Sequence, residues 1–224
     1  MQIILASASP RRRELLADAG VAFEVIVSPA EEIHDASLPP EILCETNARL
    51  KAGAVAHDYP NAAIIGADTL VFIDDLPLGK PRDLAEAKEM LRRLSGRIHK
   101  VCTGVCVIAA GKTSCFHETT HVTFRSLNDE TIDRYLSLCD PLDKAGAYGI
   151  QDHGDLIVES IDGSFDNVMG LPVRRLLEFL EPFHRPRTVV STREFFPTKA
   201  RPRDPTARPP TRSPADACDP RNAP

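Results

Sequence analysis

Between residues 2 and 180 the chain alternates apolar runs of strand length with segments of helical period, and its polar clusters fall where one hands over to the other. No internal repeat interrupts this alternation, which predicts an α/β protein built on a mixed sheet. Residues 2–6 read as a short strand, followed by a helix over 11–19 that Gly20 closes, with Pro10 suited to the first helical turn. Residues 23–27 read as a strand. A helix is expected over 40–55, with Ile42, Leu43, Thr46, Leu50 and Ala54 on one face. Residues 63–73 read as a strand pair, or one long strand interrupted at Asp68, before a turn at Asp74-Asp75. Residues 83–94 carry the clearest helix signature, a capping box of Asp83 and Glu86, a stripe of Leu84, Ala87, Leu91 and Leu94, and a stop at Gly96. Residues 101–109 and 114–124 form a hairpin around Ala110-Gly111-Lys112. A helix capped by Asn128, a strand over 156–161 and a last helix over 173–180 complete the pattern.

The alternation ends abruptly. From His184 onward there are nine Lys/Arg against four Asp/Glu, a net of +5 that leaves −10 on residues 1–183, and the same stretch holds nine of the 19 prolines. With few aliphatic residues after Val190, segment 184–224 cannot bury enough apolar surface to offset its ordering entropy, and it reads as a disordered Pro/Arg-rich tail. The only Phe, Tyr or Trp residues there are the adjacent Phe195-Phe196, which do not alternate with the basic residues as base stacking needs, so no specific nucleic-acid partner is expected. Residues 1–183 therefore form the functional domain. No apolar run approaches the roughly 18–20 residues that span a bilayer, and Arg11-Arg12-Arg13 arrives too early for a secretory signal. The six cysteines show no CxxC and no dense framework. Reduced thiols in a soluble cytoplasmic protein, without a membrane partner, are the simpler reading.

Some motifs mislead. Ala110-Gly111-Lys112-Thr113 resembles the end of a phosphate-binding loop, but Cys106 stands where the leading glycine is required, and a strand follows. His117 and His121 have helical zinc-ligand spacing in a strand sequence, which sets them about 13 Å apart. Cys102 and Cys106 fail as a metal pair for the same reason.

Four clusters remain. Ser7-Ala8-Ser9-Pro10-Arg11-Arg12 sets two hydroxyls and two guanidiniums at a helix N-terminus, a cradle for phosphate. Its bland alternative is an N-cap serine followed by a solvated basic turn. Gly66-Ala67-Asp68-Thr69 places an acid among apolar strand residues, which is expensive unless it has a partner or a task. Lys80 lies between Gly79 and Pro81. The run Asp143-Lys144-Ala145-Gly146-Ala147-Tyr148-Gly149-Ile150-Gln151 combines small residues, which let backbone approach a ligand, with an amide that both donates and accepts. Glu31-Glu32 and Lys51 add acidic and basic groups. Together, Arg11, Arg12, Lys51 and Lys80 against Glu31, Glu32 and Asp68 suit a triphosphate held with Mg²⁺ or Mn²⁺, hard cations that prefer oxygen ligands.

These motifs, with Leu94-Ser95-Gly96 and Gly170-Leu171-Pro172 in the same order, resemble the Maf family of nucleoside triphosphate pyrophosphatases, also called septum-formation inhibitors. The resemblance runs from about residue 3 to about residue 183. It implies a twisted mixed sheet in two lobes with a central cleft, like the inosine triphosphate pyrophosphatases. It further implies hydrolysis of a nucleotide to its monophosphate and pyrophosphate with a divalent metal, and a homodimer. Asp68 matches the family's catalytic acid, described as proton acceptor; Arg11, Thr69 and Gln151 match its specificity positions. Thr69 after the aspartate, Arg11 after the proline, and Ala147 through Gln151 look like the branch acting on dTTP and UTP rather than the branch acting on 7-methyl-GTP. A non-enzymatic division regulator is the alternative from another class. In this scheme Ser7, Ser9, Arg12, Lys51 and Lys80 contact phosphate, and Glu31, Glu32 and Asp68 bind metal. A carboxylate is a weak base for water at neutral pH, so metal assistance is expected.

Overall fold

The computed structural model describes residues 1–183, and the expected tail at 184–224 lies outside them. One seven-stranded mixed sheet organises the chain in the order β2 (Glu24–Val25), β1 (Ile3–Leu5), β3 (Ala63–Ile73), β5 (Ile98–Ala109), β6 (Lys112–Phe124) and β7 (Val158–Asp162), with β4 (Leu76–Leu78) also on β3. β1 runs parallel to β2 and β3, whereas the remaining pairs are antiparallel. The parallel part needs crossovers. α1 (Pro10–Asp18) connects β1 to β2, and α2 (Pro40–Ala56) leads into β3. The other described residues add α3 (Leu84–Leu94), α4 (Asp129–Leu138), the short α5 (Phe165–Met169) and α6 (Val173–Leu180).

Two cores divide the molecule into lobes. One packs Leu5, Leu16, Ile65, Leu171, Leu176 and Leu180 between the start of the sheet and helices α1 and α6. The other gathers Val71, Leu91, Leu94, Phe124, Tyr135 and Tyr148 around α3 and α4. α2 covers a third apolar patch, where Ala48 and Ala52 meet Ile4, Ile64 and Cys106.

Two glycines determine how α2 is seated. A Cβ at Gly66 would stand 2.2 Å from the Ala48 carbonyl oxygen, and one at Gly104 would stand 2.3 Å from the Cys44 carbonyl carbon. Only glycine lets helix backbone come this close to the sheet. The buried face of α2 is consequently Leu43, Cys44, Asn47, Ala48, Ala52 and Val55, while Ile42 and Leu50 are exposed. This corrects the expected stripe: small residues and one asparagine make the contact, so larger apolar side chains misreport the face.

Other expectations change in detail. β3 runs unbroken through Asp68. Asp74 and Asp75, both at positive φ, turn it into β4, a strand not anticipated from sequence. In α3 Leu84 is exposed and Met90 buried. Asp83 caps α3 by accepting from the Glu86 N–H at 2.8 Å. The reciprocal half of the box is absent, because the Glu86 carboxylate accepts instead from the Arg82 N–H at 2.7 Å. His117 and His121 lie on β6, where His117 is paired with Glu45 at 2.7 Å, and Ala110-Gly111 is the hairpin turn.

Candidate active site

Asp68 lies mid-strand in β3 with 3% of its surface exposed, at the floor of a cleft of about 780 Å³. Burying a carboxylate is costly unless it is paired and hydrogen-bonded. α2 supplies both partners from adjacent turns. Lys51 Nζ donates to Asp68 Oδ1 at 2.7 Å, and Asn47 Nδ2 donates to Asp68 Oδ2 at 3.0 Å. Positions four apart share a helix face, and the glycine contacts set that face against β3. Asn47 also holds the loop after β2, since its Oδ1 accepts from the Ile33 N–H at 2.8 Å and its Nδ2 donates to the Ile33 carbonyl at 3.1 Å. That clamp brings in Glu32, whose Oε1 lies 2.6 Å from Lys51 Nζ. Asn47 was not singled out from sequence; its legible signal was a polar residue four positions before Lys51 within a buried helix face.

Arg12 ties the opposite side together. Its guanidinium is buried, with Nε donating to the Gly170 carbonyl at 2.8 Å, Nη2 to Thr69 Oγ1 at 2.9 Å and Nη1 to Ser7 Oγ at 3.2 Å. Three of its five donors are thus committed to protein. Burial lowers its pKa, an effect that nearby Asp68 opposes. Thr69 Oγ1 also meets Thr103 Oγ1 at 3.0 Å, so it is held rather than free to rotate. Ser9 caps α1, accepting from the Arg12 N–H at 3.5 Å, and Ser7 Oγ accepts from the Ser9 N–H at 3.2 Å.

The facing lobe contributes Lys80 and the segment from Asp143 to Gln151. Arg11 Nη1 reaches across to Asp143 Oδ2 at 2.9 Å, and Lys144 pairs with Asp143 Oδ1 at 2.8 Å. Burial alone would raise the Asp143 pKa, but Lys144 and Arg11 outweigh it and hold the carboxyl below its usual range. Gly146 and Ala147, both at positive φ, bend this segment into the cleft wall, where the Gly146 N–H donates to the Gly79 carbonyl at 3.0 Å. Tyr148 anchors it through His99 Nε2 at 2.8 Å. Lys80 and Gln151 are exposed at the rim.

The cleft therefore brings together Ser7, Ser9, Arg11, Arg12, Glu32, Lys51, Asp68, Thr69, Lys80 and Gln151. Glu31 is not among them: it is exposed and does not line the cleft. Among the described residues, no group of three or more His, Cys, Asp and Glu is placed to hold a metal ion. Asp68 and Glu32 nevertheless converge on one cationic position, now taken by the Lys51 ammonium. Two carboxylates completed by substrate phosphates are the usual donor set for Mg²⁺, so these residues fit such an ion in that limited form.

Residues 2–183 match the family model described as Maf-like protein. The chain belongs to the Maf-like family. Relatives in this family include the dTTP/UTP pyrophosphatase of Akkermansia muciniphila, 50% identical over 178 residues, which cover 80% of this chain and 94% of that protein. The dTTP/UTP pyrophosphatase of Bacillus mycoides is 50% identical over 182 residues, covering 81% and 95%. That of Bacillus anthracis is 50% identical over 183 residues, covering 82% and 96%. The Ham1 protein of Staphylococcus aureus superposes with a TM-score of 0.47 at 16% identity, covering 81% of this chain and 99% of that one, too distant a likeness to bear on activity. No helix among the described residues is long and apolar enough to cross a membrane.

Proposed function

We propose that this chain hydrolyses nucleoside triphosphates, dTTP and UTP foremost, to the monophosphate and pyrophosphate. The observation that carries the proposal is Asp68: a buried carboxylate at the cleft floor, held at both oxygens by α2 and faced by cationic groups from both lobes. A protein that only bound a partner would have little reason to bury an acid there. The relatives named above act on the same two nucleotides.

In this reading the triphosphate lies along the cleft with its α-phosphorus near Asp68. Water attacks in line, the bond from the α-phosphorus to the bridging oxygen breaks, and pyrophosphate leaves. Asp68 orients that water and accepts its proton at the carboxylate. Lys51 and Arg11 neutralise charge on the phosphate oxygens and the leaving group, an effect strengthened where water is excluded, and Lys80 at the rim contacts the phosphates in the bound substrate. Ser7, Ser9 and the first turn of α1 offer hydrogen-bond donors to phosphate. Arg12 keeps the Ser7 loop, Thr69 and the Gly170 turn in register, so it shapes the site more than it binds substrate. A divalent cation held between Asp68 and Glu32 would add Lewis-acid neutralisation at the phosphates. Gln151 at the rim can both donate to and accept from the alternating carbonyls and imide N–H of a uracil or thymine edge.

Pyrophosphate release from dTTP, UTP, CTP, GTP and 7-methyl-GTP, measured with Mg²⁺ or Mn²⁺ and with an Asp68→Asn control, tests this. Turnover of dTTP and UTP that the control loses is the expected result. Turnover of 7-methyl-GTP alone would keep the chemistry and reject the base assignment. Inactivity on all five would favour a non-enzymatic regulator.

A further inference from the structure

Beneath α2, and separate from the cleft, two cysteines stand directly opposite each other. Cys106 on β5 and Cys115 on β6 are register partners in the hairpin. The hairpin closes through a two-residue turn, Ala110-Gly111, both at positive φ. Such a turn makes Ala109 and Lys112 a hydrogen-bonded pair, so counting outward places Cys106 and Cys115 at a non-hydrogen-bonded pair. Cα atoms in that kind of pair lie about 4.5 Å apart with their side chains on one face. This falls within the roughly 4.4–6.8 Å range that disulfides span.

The two thiols differ as an attacking and a resolving cysteine should. Cys115 is half-buried and reachable, whereas Cys106 is fully buried among Ala48, Ala52 and Ile64. The neighbouring Cys106 thiol and the Arg49 guanidinium on α2 lower the Cys115 thiol below its ordinary value, against the opposing effects of burial and Glu45. Cys106 is displaced upward by the neighbouring Cys115 and by burial. Thiolate character combined with exposure is what makes a cysteine redox-reactive. The second close pair provides a contrast within the same protein. Cys44 and Cys102 also interact, with Cys44 Sγ 3.3 Å from the Cys102 carbonyl oxygen, but both are fully buried, out of reach of an oxidant.

We propose that Cys115 and Cys106 are a redox modification site, at which hydrogen peroxide converts the two thiols to a cross-strand disulfide. The Cys115 thiolate attacks one peroxide oxygen, the O–O bond breaks, and the departing hydroxide is protonated to water, leaving a sulfenic acid. Cys106 sulfur then attacks the Cys115 sulfur, the S–O bond breaks, and a second water leaves with the Cys106 proton. One peroxide is reduced by two electrons and two thiols are oxidised by two.

The test is peptide mapping of the full-length protein after exposure to stoichiometric hydrogen peroxide, alkylation of remaining thiols and digestion with trypsin. Peptide 101–112 should be recovered linked to peptide 113–125 with two hydrogens lost, and fragmentation should assign the bond to Cys106 rather than Cys102. Cys102→Ala should retain the link and Cys115→Ser should abolish it. Alkylation of Cys115 in the wild type should reach half its maximum at a lower pH than that of an ordinary thiol of pKa about 8.5. Peroxide that leaves Cys115 reduced, or links it to a different cysteine, would overturn the proposal. So would an alkylation midpoint near that of an ordinary thiol.

Discussion

The two walls of the cleft are held by different means. On the α2 wall, Asn47 and Lys51 rise from a regular helix onto a regular strand, glycines set the spacing, and both oxygens of Asp68 are bonded. On the wall from Asp143 to Gln151 the chain is irregular, turns through positive φ at Gly146 and Ala147, and leaves Lys80 and Gln151 exposed. Backbone hydrogen-bonded on both sides positions a reacting group tightly, whereas loops adapt to a ligand. The contrast suggests a division of labour: chemistry on the rigid wall, recognition of the nucleotide on the irregular one.

The strongest way to break this comparison is Asp68→Asn. The fold should survive, because the amide still meets Asn47 and the strand is unchanged, while kcat falls on the order of 10³-fold. A variant that keeps most of its activity would place the chemistry elsewhere. Next comes Gly66→Ala, whose Cβ has no room beneath Ala48. It should cost about 3 kcal/mol in denaturant unfolding and lower kcat by lifting Lys51 and Asn47 from Asp68. Gly53→Ala in the same helix, with nothing within 4 Å, should instead stabilise by about 0.5–1 kcal/mol.

A comparable effect is expected on the other wall from pH. Burial lowers the His99 pKa from 6.5 to about 4, so between those values the unfolded chain holds a proton that the folded chain lacks. Stability therefore rises with pH through this window and is lost as pH falls from about 6.5 to 4, by on the order of 3 kcal/mol when complete. Because His99 holds Tyr148, nucleotide KM should rise in that range before the α2 wall is disturbed. A His99→Gln variant whose unfolding midpoints keep the wild-type slope against pH would remove His99 as the cause.

Smaller still, Asn47→Ala should reduce kcat about 10-fold with KM little changed, since Asn47 positions Asp68 without touching substrate. Lys80→Ala should raise KM by a similar or smaller factor and spare kcat. If the two variants exchanged these effects, the division between the walls would be wrong.

Much of the fold could be read from local pattern. The hairpin around Ala110-Gly111-Lys112, the Asn128 and Asp83 caps and the last helix follow from short-range backbone preferences, and the structure has each of them, with Lys112 already in β6. The apolar setting of Asp68 marked it because a carboxylate in such a strand needs a partner. Which partner was not legible. Lys51 and Asn47 reach Asp68 only because Gly66 and Gly104 admit the helix backbone, and that approach joins segments about twenty to sixty residues apart. Glu31 and Glu32 look equivalent in a string of residues, yet only Glu32 meets Lys51, beside the clamp of Asn47 on Ile33.

The sequence by itself determined the element types, the end of the patterned region near residue 183 and the motif set that signals the family, because periodicity, caps and turn residues act over a few positions. The tertiary structure alone decided that Arg12 is a buried tie, that Arg11 is bound to Asp143 across the cleft, and that Cys106 faces Cys115. Those are consequences of sheet register and helix seating, and such contacts depend on backbone brought together from distant parts of the chain.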